Sequence, residues 1–400
     1  MNNKEVTKGQ SRRTFIGRSV AALAAASFLP SAFSCAGGSP SVANQAATTA
    51  ETGKVNSKFG GVQIGAITYS FRGLPGGLDN IIKYCQEANL SSIELMGSDL
   101  EASLGAPENP MMKIFAQMRA AQPAPKPGEK PAAQPRMQRP SLTPEQQAEI
   151  DKYNEDMKAW RLGLDMAKVE AARQKLADAG ISVHIVKMEP SRMKSDEEID
   201  YAFKVAKAMG AGAVTDEISL ETAKRVAPFA EKHGIKMAFH NHMQYAEEGF
   251  SCDPILAVSP AIMLNFDAGH FFGSTGIHPN EMIKKYHDRI YSIHLKDKTG
   301  PKTGDTPNTN QVWGQGEMPI ADVLRLVQTE QWPIYCDIEL EYDIKPWSNS
   351  VKEMGTCVKY ARQILMYTIQ CTNNKADTSH RHIGFVLYLD PSRKGSRSAS

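Results

Sequence analysis

Apolar and polar positions alternate along this chain with two different periods. Short apolar runs fall at 62–69, 91–96, 181–187, 212–217, 235–241, 261–267, 290–296 and 333–341. Between them, apolar positions recur every three or four residues. The first pattern predicts strands and the second amphipathic helices. Helices expected at 196–209 and 220–233 end beside Gly210 and Gly234, where a left-handed cap is usual. Repeated strand–helix units predict a parallel sheet, and eight of them predict a closed (β/α)₈ barrel, the TIM-barrel architecture, in a single domain over 61–368. An open doubly wound sheet is the alternative, but no GxGxxG follows the first run to support it.

One interval breaks the rhythm. About 85 residues separate the second and third runs, and 120–144 is crowded with Pro, Ala, Gln and Lys. Such a segment buries too little apolar surface to fold alone, so it is expected to be a disordered insertion on the loop after the second strand. Residues 144–180 then read as one long helix, with Ser141 or Thr143 as its cap. The tail, 369–400, is polar and then basic apart from a short apolar run, and suggests no function.

Side chains of a strand alternate between two faces, and a barrel of this type keeps its chemistry at the carboxyl ends of its strands. Taking Met237, Phe239, Leu264, Phe266, Ile293, Leu295, Ile338 and Leu340 as outward leaves the polar residues on the inward parity. Glu94, Glu217, His240, His242, Asp267, His294, Lys296, Glu339 and Glu341 then converge at one end, with His270 on the loop after the sixth strand. Gathering so many ionisable groups is costly unless something compensates, and a divalent cation held by carboxylates and imidazoles would do so. The candidate ligands are Glu217, His240, Asp267, His294 and Glu339. Glu217, Glu339, Glu341, Lys296, His242 and Glu94 are candidates for proton transfer or oxyanion stabilisation, and His270, Asn241 and Asp297 for substrate contact.

Composition adds an address and removes a partner. The net charge of +2 gives no electrostatic case for nucleic acid. Residues 1–34 read as a signal peptide. Ser11-Arg12-Arg13-Thr14-Phe15-Ile16 precedes an Ala-rich apolar stretch, a pattern similar to twin-arginine export signals. Cys35, between Ser34 and Ala36-Gly37-Gly38, is placed as in lipoprotein processing sites, which predicts an exported protein with a lipid anchor. Residues 35–60 are expected to be a flexible tether. Cys85, Cys252, Cys336, Cys357 and Cys371 form no CxxC pairs and suggest neither a zinc site nor a disulfide framework.

The ordered set Ile93-Glu94-Leu95-Met96-Gly97, His240-Asn241-His242, Asn265-Phe266-Asp267-Ala268-Gly269-His270, His294-Leu295-Lys296-Asp297, Gly314-Gln315-Gly316-Glu317 and Ile338-Glu339-Leu340-Glu341 resembles the sugar phosphate isomerase/epimerase family of the xylose-isomerase-like barrels. The resemblance implies one divalent ion (Mn²⁺, Mg²⁺, Zn²⁺ or Co²⁺) on Asp267, His294 and Glu339, with His240 or Glu217 as the remaining ligand. It implies a sugar or keto-sugar substrate and proton abstraction beside a carbonyl through a metal-stabilised enediolate, giving isomerisation or epimerisation. The alternative is a lyase, hydrolase or dehydratase using the same step on a keto-glycoside or inosose. A non-catalytic sugar-binding lipoprotein comes last, because the inward acids are present. The barrel also resembles DNA-repair endonucleases with three zinc ions, a reading that the charge and the export signal oppose. The sequence is compatible with a homo-oligomer.

Overall fold

A computed structural model describes residues 54–111, 113–115 and 142–366. Eight parallel strands follow one another around a closed ring: β1 (Val62–Ile67), β2 (Ser92–Met96), β3 (Ser182–Lys187), β4 (Ala213–Glu217), β5 (Lys236–His240), β6 (Ile262–Asp267), β7 (Ile290–Leu295) and β8 (Tyr335–Ile338). Each strand pairs with its sequence neighbours, and β1 with both β2 and β8, so the barrel has no open edge. The chain is a (β/α)₈ barrel, as the eight runs predict.

The alternation of side chains separates two apolar cores. Met237, Phe239, Leu264, Phe266, Ile293 and Ile338 belong to the large core between strands and helices. Ile185, Ala213 and Ala238 form a small cluster of their own inside the ring, with Tyr291 against it. These small residues fill the interior of the barrel, so that polar side chains can gather above them at the carboxyl ends. The register shifts at Ile93/Glu94 and at Leu264/Asn265. Local bulges of this kind re-aim side chains.

The predicted long helix is corrected to two, α3 (Pro144–Gly163) and α4 (Met166–Asp178); α1 is Leu78–Ala88 and α2 Gly97–Ser103. Thr143 caps α3 in a reciprocal capping box with Gln146. The break has a local cause. Leu164 is extended, and the Asp165 carboxylate accepts from Ala167 N at 3.0 Å, which starts a new helix. The tether expectation is corrected at its end: Lys58–Phe59 pairs antiparallel with β1, and Ser57 is buried. The twin-arginine pattern, Cys35, residues 120–141 of the insertion and 369–400 lie outside the described residues.

Helix α3 is held to the barrel by charge. Arg161 donates to both oxygens of Glu101 on α2, at 2.8 and 3.1 Å, and to Glu198 on α5 (Asp196–Ala208) at 3.2 Å. Tyr201 also donates to Glu101. Both carboxylates are nearly buried, so removing the guanidinium strands them. Arg161→Ala should lower stability by about 3 kcal/mol, read as a shifted urea midpoint with unchanged slope. A loss near zero would mean the pair behaves as an exposed one.

Candidate active site

Sheet register determines which carboxyl-end residues meet. His240 stands opposite Asn265 and Glu217, Asp267 opposite His294, and His294 opposite Asp337. One ligand atom from each of His240, Asp267, His294 and Glu339 can be chosen so that all lie within 4.8 Å of one another, and all four residues are buried. Glu217, His240 and His242 form a second such group. His240 therefore belongs to both, whereas Glu217 stands at the edge, 38% exposed along its side chain.

Asp267 is fixed from several sides. Its backbone N–H donates to Asn241 Oδ1 at 2.9 Å, and its carbonyl accepts from Asn241 Nδ2 at 3.1 Å. Its Oδ1 caps α8 (Ala268–Thr275, which follows α6, Leu220–His233, and α7, Asp253–Leu256) by accepting from His270 N at 2.6 Å. That leaves Oδ2 for His240 Nε2 at 3.2 Å and Lys296 Nζ at 2.9 Å. Asn241 is thus a clamp on the end of β6, a correction to the expectation of substrate contact. Its side chain takes the outward parity and is spent on backbone.

His294 is gripped at both ring nitrogens, Nδ1 by Glu339 at 2.9 Å and Nε2 by Glu94 at 2.8 Å. Asn265 Nδ2 donates to the same Glu94 oxygen at 2.8 Å. Glu94 is fully buried, and its contact with His294 is of the kind that orients an imidazole. Burial disfavours a charged imidazole, but Glu94 and Glu339 outweigh it and raise the His294 pKa well above the usual value.

Lys296 Nζ sits among Asp267 at 2.9 Å, Glu339 at 2.9 Å and Glu341 at 2.6 Å. Burial would lower its pKa, yet these carboxylates raise it, Asp267 most. Conversely, burial would raise the carboxyls of Asp267 and Glu339, but Lys296 leads the groups that hold both well below the ordinary range. At the mouth, Glu217 faces His242 Nδ1 at 2.8 Å and Lys187 Nζ at 3.3 Å. His242 is 47% exposed along its side chain, so this carboxylate lies where solvent or a ligand can reach it. The His270 ring is 4.8 Å from that of His242, and burial pushes its pKa down to about 3.

Asp297 is a further correction. Its Oδ2 accepts from Gly314 N at 2.8 Å and Gly316 N at 3.0 Å, and a Cβ at Gly316 would strike the carboxylate. The residue holds the Gly314–Gly316 loop and is not offered to a substrate.

Alternation alone does not single out Lys187, Lys298 or a buried network adjoining the site, in which Asp337 stands opposite His294. There His184 joins Ser92 Oγ at 2.9 Å and Asp337 Oδ2 at 2.8 Å, and Ser292 also reaches Asp337. The bulge beside Glu94 turns both His184 and Ile185 inward, which strict alternation does not foresee.

The central donor set suits a divalent cation. Two imidazoles and two carboxylates match intermediate metals such as Zn²⁺, Co²⁺ or Mn²⁺. His240 Nδ1 is buried without a hydrogen-bond partner, and three carboxylates crowd one ammonium.

The sequence profile of a family described as xylose isomerase-like TIM barrel matches residues 150–360. The chain belongs to this xylose isomerase-like family. Among curated proteins it is similar to an inosose dehydratase of Clostridium botulinum, 37% identical over 79 residues, covering 18% of this chain and 25% of that protein. An inosose dehydratase of Clostridium perfringens is 25% identical over 141 residues, covering 31% of this chain and 46% of that protein. The chain thus spans a quarter to about half the length of these relatives. Among solved structures, a sugar phosphate isomerase/epimerase of Parabacteroides distasonis is 16% identical, covers 81% of this chain and 99% of its own, and superposes with a TM-score of 0.45.

Proposed function

We propose that this xylose isomerase-like barrel is a divalent-metal-dependent isomerase or epimerase that moves a proton beside the carbonyl of a sugar or keto-sugar. The observation that carries the reading is the placement of two carboxylates, Glu217 on β4 and Glu339 just past β8. In a closed ring of eight strands, the fourth and eighth are diametrically opposed. A substrate between them would present one face to each, as removal from one side and return to another requires.

His240, Asp267, His294 and Glu339 would hold the ion, with Glu94 keeping His294 in orientation. When bound there, the ion supplies Lewis-acid stabilisation of negative charge developing on the substrate oxygen. With His240 in the ligand set, Glu217 is left for proton transfer; burial would raise its carboxyl, but His240, His242 and Lys187 outweigh burial and hold it well below the ordinary range. Lys296 holds Glu339 and Glu341 and is placed to donate to the same substrate oxygen. Glu341, 21% exposed along its side chain, is the second group able to carry a proton at the mouth.

A second reading, dehydration, is favoured by the curated relatives named inosose dehydratase. If a hydroxyl lies beta to the carbon that loses its proton, water leaves after the same first step. In either reading the enzyme works outside the cytoplasm, tethered through Cys35, on the strength of the amino-terminal pattern.

The test is hydrogen exchange. In D₂O with Mn²⁺, the protein should exchange deuterium into a ketohexose or an inosose at the carbon beside the carbonyl. Glu217→Gln should slow this by about 10²-fold or more. Exchange unaltered in that variant, or absent from every keto-sugar tried, would remove the reading.

A further inference from the structure

The inward parity of β7 does not stop at Lys296. The chain continues into a short antiparallel hairpin, Asp297–Lys298 against Asn310–Gln311. Lys298 keeps the parity of His294 and Lys296, whereas Asp297 turns to the Gly314–Gly316 loop. Lys298 is only 4% exposed.

Two glycines on α8 make room for these lysines. A Cβ at Gly269 would lie 2.2 Å from Lys296 Cγ, and one at Gly273 would lie 2.7 Å from Lys298 Cε. The positions are one turn apart on one helix face, so both stems cross α8 side by side. This routing lays the Lys298 stem against the second turn of the helix that Asp267 caps.

The two lysines differ in what meets them. Lys296 has three carboxylates within 2.6–2.9 Å. Among the described residues, no carboxylate oxygen lies within 4.0 Å of Lys298 Nζ, the limit for an ion pair. Its nearest potential partners, Asp267, Glu339 and Glu341, are already engaged by Lys296. An ammonium with a buried stem and no counter-charge, at the edge of a reaction site, is poised for a ligand. Two neighbouring polar groups are also unspent. His270, one turn before Gly273, has no hydrogen-bond partner at either ring nitrogen, and Asn308 Oδ1, which also packs on Gly273, has none.

We propose that Lys298 is the recognition point for an anionic group on the substrate, so that the site takes acidic sugars bearing a carboxylate or a phosphate in preference to neutral ones. This rests on the sugar-directed reading above and narrows it. The anion completes the ion pair that Lys298 lacks, with His270 and Asn308 beside it to contact the adjoining hydroxyls. The main chain of Lys298 is anchored, since its carbonyl accepts from Glu317 N at 2.8 Å and Met318 N at 3.1 Å, and its stem packs on Gly273. Little ordering is therefore left to be done on binding.

The experiment is calorimetric titration of the Mn²⁺-loaded full chain with D-glucose, D-glucuronate and D-glucose 6-phosphate. At least one acid sugar should bind about tenfold or more tighter than glucose, and which one does so identifies the group. Lys298→Met should abolish that preference while Lys298→Arg retains most of it. The proposal is overturned if glucose binds as well as both acid sugars, if none of the three binds wild type, or if a folded Lys298→Met protein keeps the preference. Deuterium exchange into a neutral ketose by wild type, and its loss in Glu217→Gln, tests the enolisation reading separately and does not depend on the acidic group.

Discussion

Asp267→Asn protein is expected to stay folded, to lose its bound divalent cation, and to lose about 10³-fold or more in kcat/KM, the order expected when a Lewis-acid contribution of several kcal/mol is removed. The substitution is chosen for what it keeps. An asparagine oxygen can still accept from His270 N at the start of α8, so the cap survives. The backbone clamp from Asn241 is untouched, because it uses only the main chain of residue 267. What disappears is the charge on Oδ2, the atom facing His240 and Lys296. Elemental analysis of the purified protein, beside a thermal melt, separates the outcomes. Asp267→Ala should show the same metal loss with an additional cost of about 1 kcal/mol for the missing cap. Wild-type metal content and activity in Asp267→Asn would sink the ligand assignment.

The second large effect concerns Lys296. In metal-free protein, Lys296→Met should be destabilised by about 3–5 kcal/mol, because Asp267, Glu339 and Glu341 are left crowded together with no cation between them. The methionine fits the channel over Gly269, where the lysine stem now runs, so packing is nearly conserved and the loss reports charge. Divalent metal should then restore more stability to this variant than to wild type, since it supplies the missing counter-charge. Activity should remain low even when the variant is loaded, because the donor proposed for the substrate oxygen is gone. Equal thermal stability of the two metal-free proteins would show that Lys296 does not neutralise the cluster.

The placement of both residues follows from a two-residue period. Asp267 and Lys296 share the inward parity with His294 and Glu339, and that parity is legible wherever Phe266, Leu295 or Ile338 marks the opposite face. Where no apolar residue marks a face, or the backbone bulges, alternation gives the wrong answer or none. His184 was missed because the register shifts beside Glu94 and turns two successive side chains inward. Asn241 and Asp297 sit in motifs with true inward residues, which suggests substrate contact, yet each takes the opposite parity and bonds backbone. The long helix of 144–180 failed for a different reason: periodicity continues across Leu164, while a single Asp165 hydrogen bond is enough to restart the helix.

Depth is a further quantity that parity lacks. Glu94 and Glu339 both point inward, but Glu94 meets His294 at Nε2 and Glu339 at Nδ1, although the residue of β8 that stands opposite His294 in the register is Asp337. Only closure of the ring assigns those contacts, because the stagger between strands decides which residues share a height.

The sequence by itself determined the eight-stranded barrel and the end of it that carries the ionisable groups. These are properties of local periodicity, which each segment carries alone. Tertiary structure alone decided which ionisable side chains meet: His240 with both Asp267 and Glu217, Glu94 with His294, and Lys298 with no carboxylate in ion-pair reach among the described residues. Those depend on which strands face one another across the ring and how far each is shifted, a long-range register that no single segment encodes.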